Sequence, residues 1–318
     1  MKHVLLTGAN GFVGKVLLDQ LLMAGYQVSC ACSTSNPTPR VGIDQVRLDI
    51  RDASACVATL ERIKPTHIIH LAAISHVPTS FRHPLLTWNT NVLGSLNLLE
   101  AIKQQTPDAF VVFASSSEVY GESFQSGVAL DETSPCLPIN PYAASKLAAE
   151  LAFEQYFKQG IRGVIARPFN HIGLGQSPDF VTASFARQIA LIESGKQAPV
   201  IQVGNLEARR DFLDVRDVCA AYLQLLGLSD VQDHPRVFNI ASGNARKIRD
   251  ILDELVSQST AVISVELDPK RLRPSDVPFA VGKCDRIRNV LSWEPKVPLN
   301  ETLASLLADW RLRVEAEQ

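Results

Sequence analysis

Apolar residues fall into two kinds of stretch along this chain. Short runs that are apolar at most positions, VLLT (4–7), QVSCAC (27–32), HIIHLAA (67–73), AFVVFAS (109–115) and GVIARPF (163–169), read as strands, several of them buried on both faces. Between them, helical patterns occupy 12–24, 52–63, 86–105 and 141–158. Strand and helix alternate through the first half, which predicts a parallel sheet covered by helices on both sides. With right-handed crossovers, the expected fold class is α/β, a Rossmann-type doubly wound parallel sheet.

Beyond residue 170 the pattern loosens. Pro, Gly and charged turns multiply (GLGQSPD, VGNLEARRD, DPKRLRPSD), shorter elements follow, and a closing helix is expected near 299–315. These features predict a smaller C-terminal substrate-binding domain. RVFNIAS (236–242) reads as a strand that returns to the main sheet. The expected division is 1–170 for a dinucleotide-binding domain, with a returning segment near 206–242, and 171–318 mainly for the substrate domain.

Composition narrows the class. The chain has 318 residues and is 46% hydrophobic, enough for a large core. Its net charge of −2 lacks the basic excess of a nucleic-acid binder, so no such partner is expected. No apolar run reaches membrane-spanning length, and the run in MKHVLLTGANG is too short for a signal peptide. The six cysteines (30, 32, 56, 136, 219, 284) are scattered, without a C-x-x-C pair, and no H-E-x-x-H is present. Neither a metal site nor a disulfide framework is expected. The default is a reduced, cytoplasmic enzyme.

The first strand runs into TGANGFVG, which spaces Gly8, Gly11 and Gly14 three apart and opens a helix. Glycine serves where the turn is tight, where backbone meets a pyrophosphate and where helix packs on strand. The helix start then offers free N–H groups and a positive dipole to phosphates. Dinucleotide binding is the expectation, with Asn10, Phe12 and Val13 completing the turn. An acidic residue about 20 positions on would hold the ribose 2′-hydroxyl of NAD. Here the second strand ends CACSTSNPTPR, with Ser33, Thr34, Ser35 and later Arg40 in place of a carboxylate. Hydroxyls and an arginine tolerate a 2′-phosphate, so NADP(H) is favoured. Asp49 and Ile50, after the third strand (VRLDI), are candidates for the adenine edge; Asp49 reads equally as a helix N-cap.

In NPYAASKLAAE (140–150), Tyr142 and Lys146 lie four apart at a helix start, and so on one face. Free tyrosine has a pKa of about 10. A neighbouring ammonium can lower a pKa by roughly 1–3 units. Taken alone, the pair reads more readily as a solvated surface pair. Its context is AFVVFAS running into SSSEVYG, which puts Ser116 at the carboxyl end of a parallel strand, where ligands bind in such sheets. Ser116 can then bond the same substrate oxygen as Tyr142. A serine-rich turn capped by its own hydroxyls is the alternative.

Together, TGANGFVG, HLAA, SSSEVYG, YAASK and RPFNHIG resemble the extended short-chain dehydrogenase/reductase family, which acts on nucleotide sugars, over essentially the whole chain. The resemblance implies that Ser116, Tyr142 and Lys146 are the catalytic trio, with Lys146 lowering the Tyr142 pKa. It implies that Leu71, Ala72 and Ala73 line the cofactor's ribose and nicotinamide side. RPFNHIGLGQS, VGNLEARRDFLDVRD and DPKRLRPSDVP resemble the branch acting on GDP-mannose-derived sugars. That likeness implies a GDP-sugar substrate held by Ser116, Ser117, Asn170, Arg210, Arg273 and Asp276. The dehydratase pattern has Glu where this chain has Asp276. Without the resemblance, Arg209 and Arg210 beside Glu207 and Asp211 read as a solvated charge cluster.

The resulting expectation is NADPH-dependent reduction of the C4 keto group of GDP-4-dehydro-6-deoxy-D-mannose. Glu118, the base that removes the C5 proton in dehydratases of the family, keeps a 4,6-dehydratase or a C4 epimerase open. A catalytically silent dinucleotide sensor is the alternative outside enzymes. The family also implies a homodimer in which the helices at 86–105 and 141–158 pair across a two-fold axis.

Overall fold

A computed structural model describes residues 2–33, 43–272 and 277–317. Thr34, Ser35 and Arg40, and Arg273 and Asp276, lie outside the described residues.

The chain begins β1 (His3–Thr7), α1 (Phe12–Met23), β2 (Gln27–Cys32), β3 (Asp44–Arg47), α2 (Ala53–Ile63) and β4 (His67–His70). Next come α3 (Val77–Arg82), α4 (Pro84–Trp88), a π-helical turn (Asn89–Leu93), α5 (Gly94–Gln105) and β5 (Phe110–Ala114). Two short 3-10 turns lead to α6 (Pro141–Lys158) and β6 (Arg162–Pro168). The remainder is β7 (Asn170–Ile172), α7 (Val181–Glu193), β8 (Val200–Val203), β9 (Arg209–Asp214), α8 (Val215–Leu226) and β10 (Val237–Ile240). It closes with β11 (Ala245–Lys247), α9 (Ile248–Ser257), β12 (Ser264–Leu267), β13 (Phe279–Ala280), α10 (Asp285–Leu291) and α11 (Leu299–Ala316).

Seven strands form one sheet in the order β10-β6-β5-β4-β1-β2-β3, every neighbouring pair parallel. β4 and β5 are buried at every position, which is why HIIH and FVVFA show no alternation. α1 and α8 cover one face through Leu17, Leu21, Val218 and Leu225. α2, α5 and α6 cover the other through Leu60, Leu98, Ile102 and Phe153. The chain winds outward from β1 to β3, then returns to β4 on the far side of β1. That reversal leaves a crevice beyond the carboxyl ends of β1 and β4, where ligands bind in open α/β sheets.

A second layer lies beyond β6. β11, β9 and β13 form a small sheet joined by β7, and β12 pairs with β8. Its core is separate: Ile189 of α7, Ile251 of α9 and Leu307 and Trp310 of α11. RVFNIAS does return to the main sheet, as β10 beside β6.

Two expected elements differ. The strand expected over 67–73 stops at His70, because Leu71, Ala72 and Ala73 leave the sheet to line the crevice. The helix expected over 86–105 is interrupted by the π turn at Asn89–Leu93. Gly94 follows at a close approach, where a Cβ would stand 2.7 Å from Ile50 Cδ1.

Candidate active site

A cavity of about 1170 Å³ spreads from the carboxyl ends of β1, β4, β5 and β6 to the second layer. At its β1 end, Gly8 has φ +70°, and a Cβ there would lie 2.9 Å from the Ala72 nitrogen. A Cβ on Gly14 would lie 2.4 Å from the Gly8 oxygen. Only glycine lets strand, turn and helix approach this closely. Gly11 is the N-cap of α1, and no side chain caps it. The first-turn N–H groups at Phe12, Val13 and Gly14 therefore border the cavity with the positive end of the helix. Asn10 also lines this end. The Phe12 ring stacks on His171 at 6.0 Å, and His171 Nδ1 donates to the Phe169 carbonyl at 2.9 Å.

Ser33, Asp49 and Ile50 line the outer part of the same end. Asp49 is not a helix cap. That role falls to Asp52, which accepts from the Ala55 nitrogen at 3.0 Å. Asp49 is instead gripped by Arg51, whose Nε and Nη2 donate at 2.9 and 2.5 Å. The Arg51 hydrogen bond holds the Asp49 carboxyl below the usual range. Of the inner wall, Ala72 N donates to Thr7 Oγ1 at 3.2 Å and Leu71 N to the Thr7 carbonyl at 3.3 Å.

The middle of the cavity brings together the residues read from SSSEVYG and YAASK. α6 starts sharply because Asn140 caps it, its Oδ1 accepting from Ala143 N at 2.8 Å, with Pro141 at the first helical position. Tyr142 thus falls in the first turn and Lys146 one turn later. They are 7% and 4% exposed, so the surface-pair reading does not hold. Ser116, also buried, lines the cavity wall with them.

Lys146 does not pull the Tyr142 pKa down here. Burial pushes the phenol up to about 12, the Ser116 hydrogen bond opposes the rise and the Glu118 charge adds to it. The Lys146 ammonium is engaged elsewhere: Nζ donates to the Ala114 carbonyl at 2.7 Å and stands 4.9 Å from the Phe113 ring centroid. Burial pulls it down to about 8, against the attraction of Glu150. Ser116 caps the 3-10 turn Ser117–Tyr120 and accepts from Glu118 N at 3.2 Å. Glu118 Oε2 accepts from Asn140 Nδ2 at 3.0 Å. Ser117 lines the cavity beside them.

At the far end, Asn170 of β7 pairs with Phe212 of β9, and Arg210 lies two residues along β9. The two therefore fall on one face of the small sheet, and both line the cavity. The solvated-cluster reading of this segment fails at Asp211. It is fully buried and accepts from Ser242 N and Oγ, Gly243 N and Gly282 N at 2.6–3.3 Å. Among the lining residues that escaped the sequence reading are Asn140, Arg51 and Arg271. Asn140 was legible, as an Asn before Pro at a helix start. Arg51 and Arg271, which donates to Ser184 Oγ at 3.1 Å, carried no signal of their own.

A family model described as GDP-mannose 4,6 dehydratase matches residues 5–306. The chain belongs to the GDP-mannose 4,6 dehydratase family. Within that family it is 37% identical over 317 residues to GDP-6-deoxy-D-mannose reductase of Pseudomonas aeruginosa, covering 99% of each chain. It is 29% identical to human GDP-mannose 4,6 dehydratase, covering 95% of this chain and 90% of that one. That second alignment runs over 343 positions, more than the 318 residues of this chain, so the human dehydratase carries insertions that this family member lacks. The structure of RMD from Pseudomonas aeruginosa complexed with NADPH matches with a TM-score of 0.84 and 34% identity, covering 98% of this chain and 100% of that one.

Proposed function

We propose that this chain is an NADPH-dependent reductase that converts the C4 keto group of GDP-4-dehydro-6-deoxy-D-mannose to the alcohol, giving GDP-6-deoxy-D-mannose (GDP-D-rhamnose). The observation that carries this reading is the convergence of Ser116, Tyr142 and Lys146, all three buried, on the wall of one cavity. The near-gapless match to a reductase of this name supports it.

The residues present fit NADP(H). The uncapped start of α1 and the close-packed Gly8 and Gly14 make a cradle for a diphosphate. The cavity, at about 1170 Å³, exceeds the roughly 300–1,000 Å³ of single-ligand pockets, as two nucleotides require. Gly8, Asn10, Gly11, Phe12, Val13 and Gly14 would hold the diphosphate. Ser33, Asp49 and Ile50 would face the adenosine, with Leu71, Ala72, Ala73, Tyr142 and Lys146 toward the ribose and nicotinamide. Bound NADPH supplies the hydride for C4. Ser116 hydrogen-bonds the keto oxygen and holds it against Tyr142. Tyr142, protonated at neutral pH, gives its proton to that oxygen as it becomes an alcohol. Lys146, one turn behind, would offset the charge left on Tyr142 by turning its ammonium from the Ala114 carbonyl. Ser117, Asn170, Arg210, Arg273 and Asp276 would hold the GDP-sugar, so that residues 171–318 mainly bind substrate. Arginine forks suit a diphosphate.

Glu118 gives a second reading a foothold, since it lines the cavity and is oriented by Asn140. A 4,6-dehydratase returns its hydride to the sugar and consumes no net NADPH. The test is NADPH absorbance with GDP-4-dehydro-6-deoxy-D-mannose and, separately, with GDP-mannose. Stoichiometric oxidation with the first alone fits the reductase; turnover of GDP-mannose without NADPH loss fits the dehydratase; neither reaction fits a sensor. A homodimer is also proposed. Leu85, Leu93 and Leu151 are 79, 52 and 56% exposed along α4, the π turn and α6, and a monomer by light scattering at micromolar concentration contradicts it. Cytoplasmic residence, where reduced cofactor and thiols coexist, completes the reading.

A further inference from the structure

The 3-10 turn that carries Glu118 is tied twice to the segment entering α6. The first tie is backbone: Leu137 N donates to the Tyr120 carbonyl at 3.3 Å, and Glu122 N donates to the Leu137 carbonyl at 2.9 Å. A Cβ on Gly121, at φ +50°, would overlap that same Leu137 carbonyl, so glycine is what lets the two segments meet. The second tie is Asn140. Its Oδ1 is committed to the cap of α6, accepting from Ala143 N at 2.8 Å, which turns the amide nitrogen the other way. Nδ2 donates to Glu118 Oε2 at 3.0 Å. Asn140 is 8% exposed and its backbone is extended before Pro141. Cap, proline and burial together fix where the amide points.

The carboxylate held in this way belongs to the reacting end of the cavity. Glu118 follows Ser116 by two residues on that turn, its charge acts on the Tyr142 phenol, and all three residues line the cavity. A 4-keto sugar with its C4 oxygen at Ser116 and Tyr142 therefore lies near a carboxylate. The carbonyl acidifies the protons on the flanking carbons, C3 and C5. A base that takes one of them sends the C–H electron pair into the bond to C4 and the carbonyl pair onto oxygen. The enol then regains a proton at carbon from solvent, on either face. In a reductase this reaction scrambles the sugar before hydride arrives.

We propose that Asn140 is a specificity residue: by holding the Glu118 carboxylate on its amide, it keeps that carboxylate from acting as a base at C3 or C5, so the ketone is reduced and not enolised. The proposal rests on the reductase reading. A general base must come within hydrogen-bond reach of the proton it takes, and Glu118 reaches no new partner through Oε2 without giving up a charge-assisted bond.

Asn140→Asp and Asn140→Ser both keep a capping oxygen and remove the amide donor. Thermal melting identifies the folded variants. GDP-4-dehydro-6-deoxy-D-mannose is then reduced with NADPH in heavy water, and mass spectrometry and NMR of the product count deuterium bound to carbon, against an enzyme-free blank. A positioned base contributes about 10²–10⁴-fold, so each folded variant is expected to incorporate deuterium at C3 or C5 at least roughly tenfold faster than wild type, whose product stays at the blank. Adding Glu118→Gln to Asn140→Asp is expected to return incorporation to the blank, which repair of a loosened helix start would not do. Wild-type product labelled above the blank overturns the proposal. So do folded variants that oxidise NADPH and incorporate no more deuterium than wild type, and so does incorporation that persists in the double variant. A wild type that does not oxidise NADPH with this sugar overturns the reductase reading and this proposal together. An active wild type with unlabelled product from both single variants overturns this proposal alone.

Discussion

Tyr142→Phe removes one oxygen from a side chain that is 7% exposed, and with it at most one hydrogen-bonding interaction, with Ser116. The ring stays, so packing against the cavity is retained. One buried hydrogen bond between neutral groups is worth about 0.5–1.5 kcal/mol, and Ser116 keeps its contact with Glu118 N, so the fold should survive. The effect on turnover is larger. A positioned general acid contributes about 10²–10⁴-fold, or about 3–5 kcal/mol of barrier at 1.36 kcal/mol per decade. The decisive assay pairs NADPH oxidation under saturating sugar with a separate NADPH titration: kcat should fall by that factor while NADPH affinity stays near wild type. The pH profile adds a check on the wild type. The donor must be protonated, so activity is present at neutral pH and is lost as pH rises. With the phenol at about 12 and Lys146 at about 8, the first loss is expected near 8, where the ammonium that would offset the Tyr142 charge titrates away. A Tyr142→Phe variant within about threefold of wild-type kcat would refute the assignment of Tyr142 as the acid.

Ser33, and not a carboxylate, follows the second strand at the cavity, so kcat/KM should favour NADPH over NADH, and Ser33→Asp should move the preference toward NADH; equal values for the two cofactors in the wild type contradict this. Arg210→Ala should raise KM for the GDP-sugar by roughly 10–150-fold, the loss of a charge-assisted contact worth about 1.5–3 kcal/mol, and leave NADPH affinity unchanged; kinetics with each substrate varied in turn decides it. His70 is fully buried and pushed down to about 3 by that burial, so its contribution to stability is complete above the unfolded pKa of about 6.5 and is lost as pH falls from there toward 3. Denaturant melts should show a His70→Asn variant losing less stability than wild type between pH 6.5 and 4; parallel losses contradict it.

The main sheet was legible because its inner strands are buried on both faces and its helices are long. The start of α6 was legible because Asn140 and Pro141 mark a capped helix. What stayed hidden has physical reasons. β12, SVEL, is exposed at all four positions and β9 begins with two arginines, so neither offers an apolar run. HIIHLAA continues its apolar pattern past the end of the sheet because Leu71–Ala73 face the cavity instead of a helix. Asp49 and Asp52 look alike as helix caps, and only the bonds to Arg51 and to Ala55 N tell them apart. The spacing of Tyr142 and Lys146 was right for one helical face. It gave no hint that the ammonium would turn to the Ala114 carbonyl.

The central claim is a hydride placed on C4 of a GDP-bound 4-keto-6-deoxy sugar. NMR of the product formed from 4-deuterated NADPH and GDP-4-dehydro-6-deoxy-D-mannose tests it directly. The account predicts one deuterium at C4, one NADPH consumed per product and, in the product made with unlabelled NADPH, H3–H4 and H4–H5 couplings that identify GDP-6-deoxy-D-mannose. Recovery of unlabelled keto sugar, or deuterium at C6 in place of C4, would contradict it.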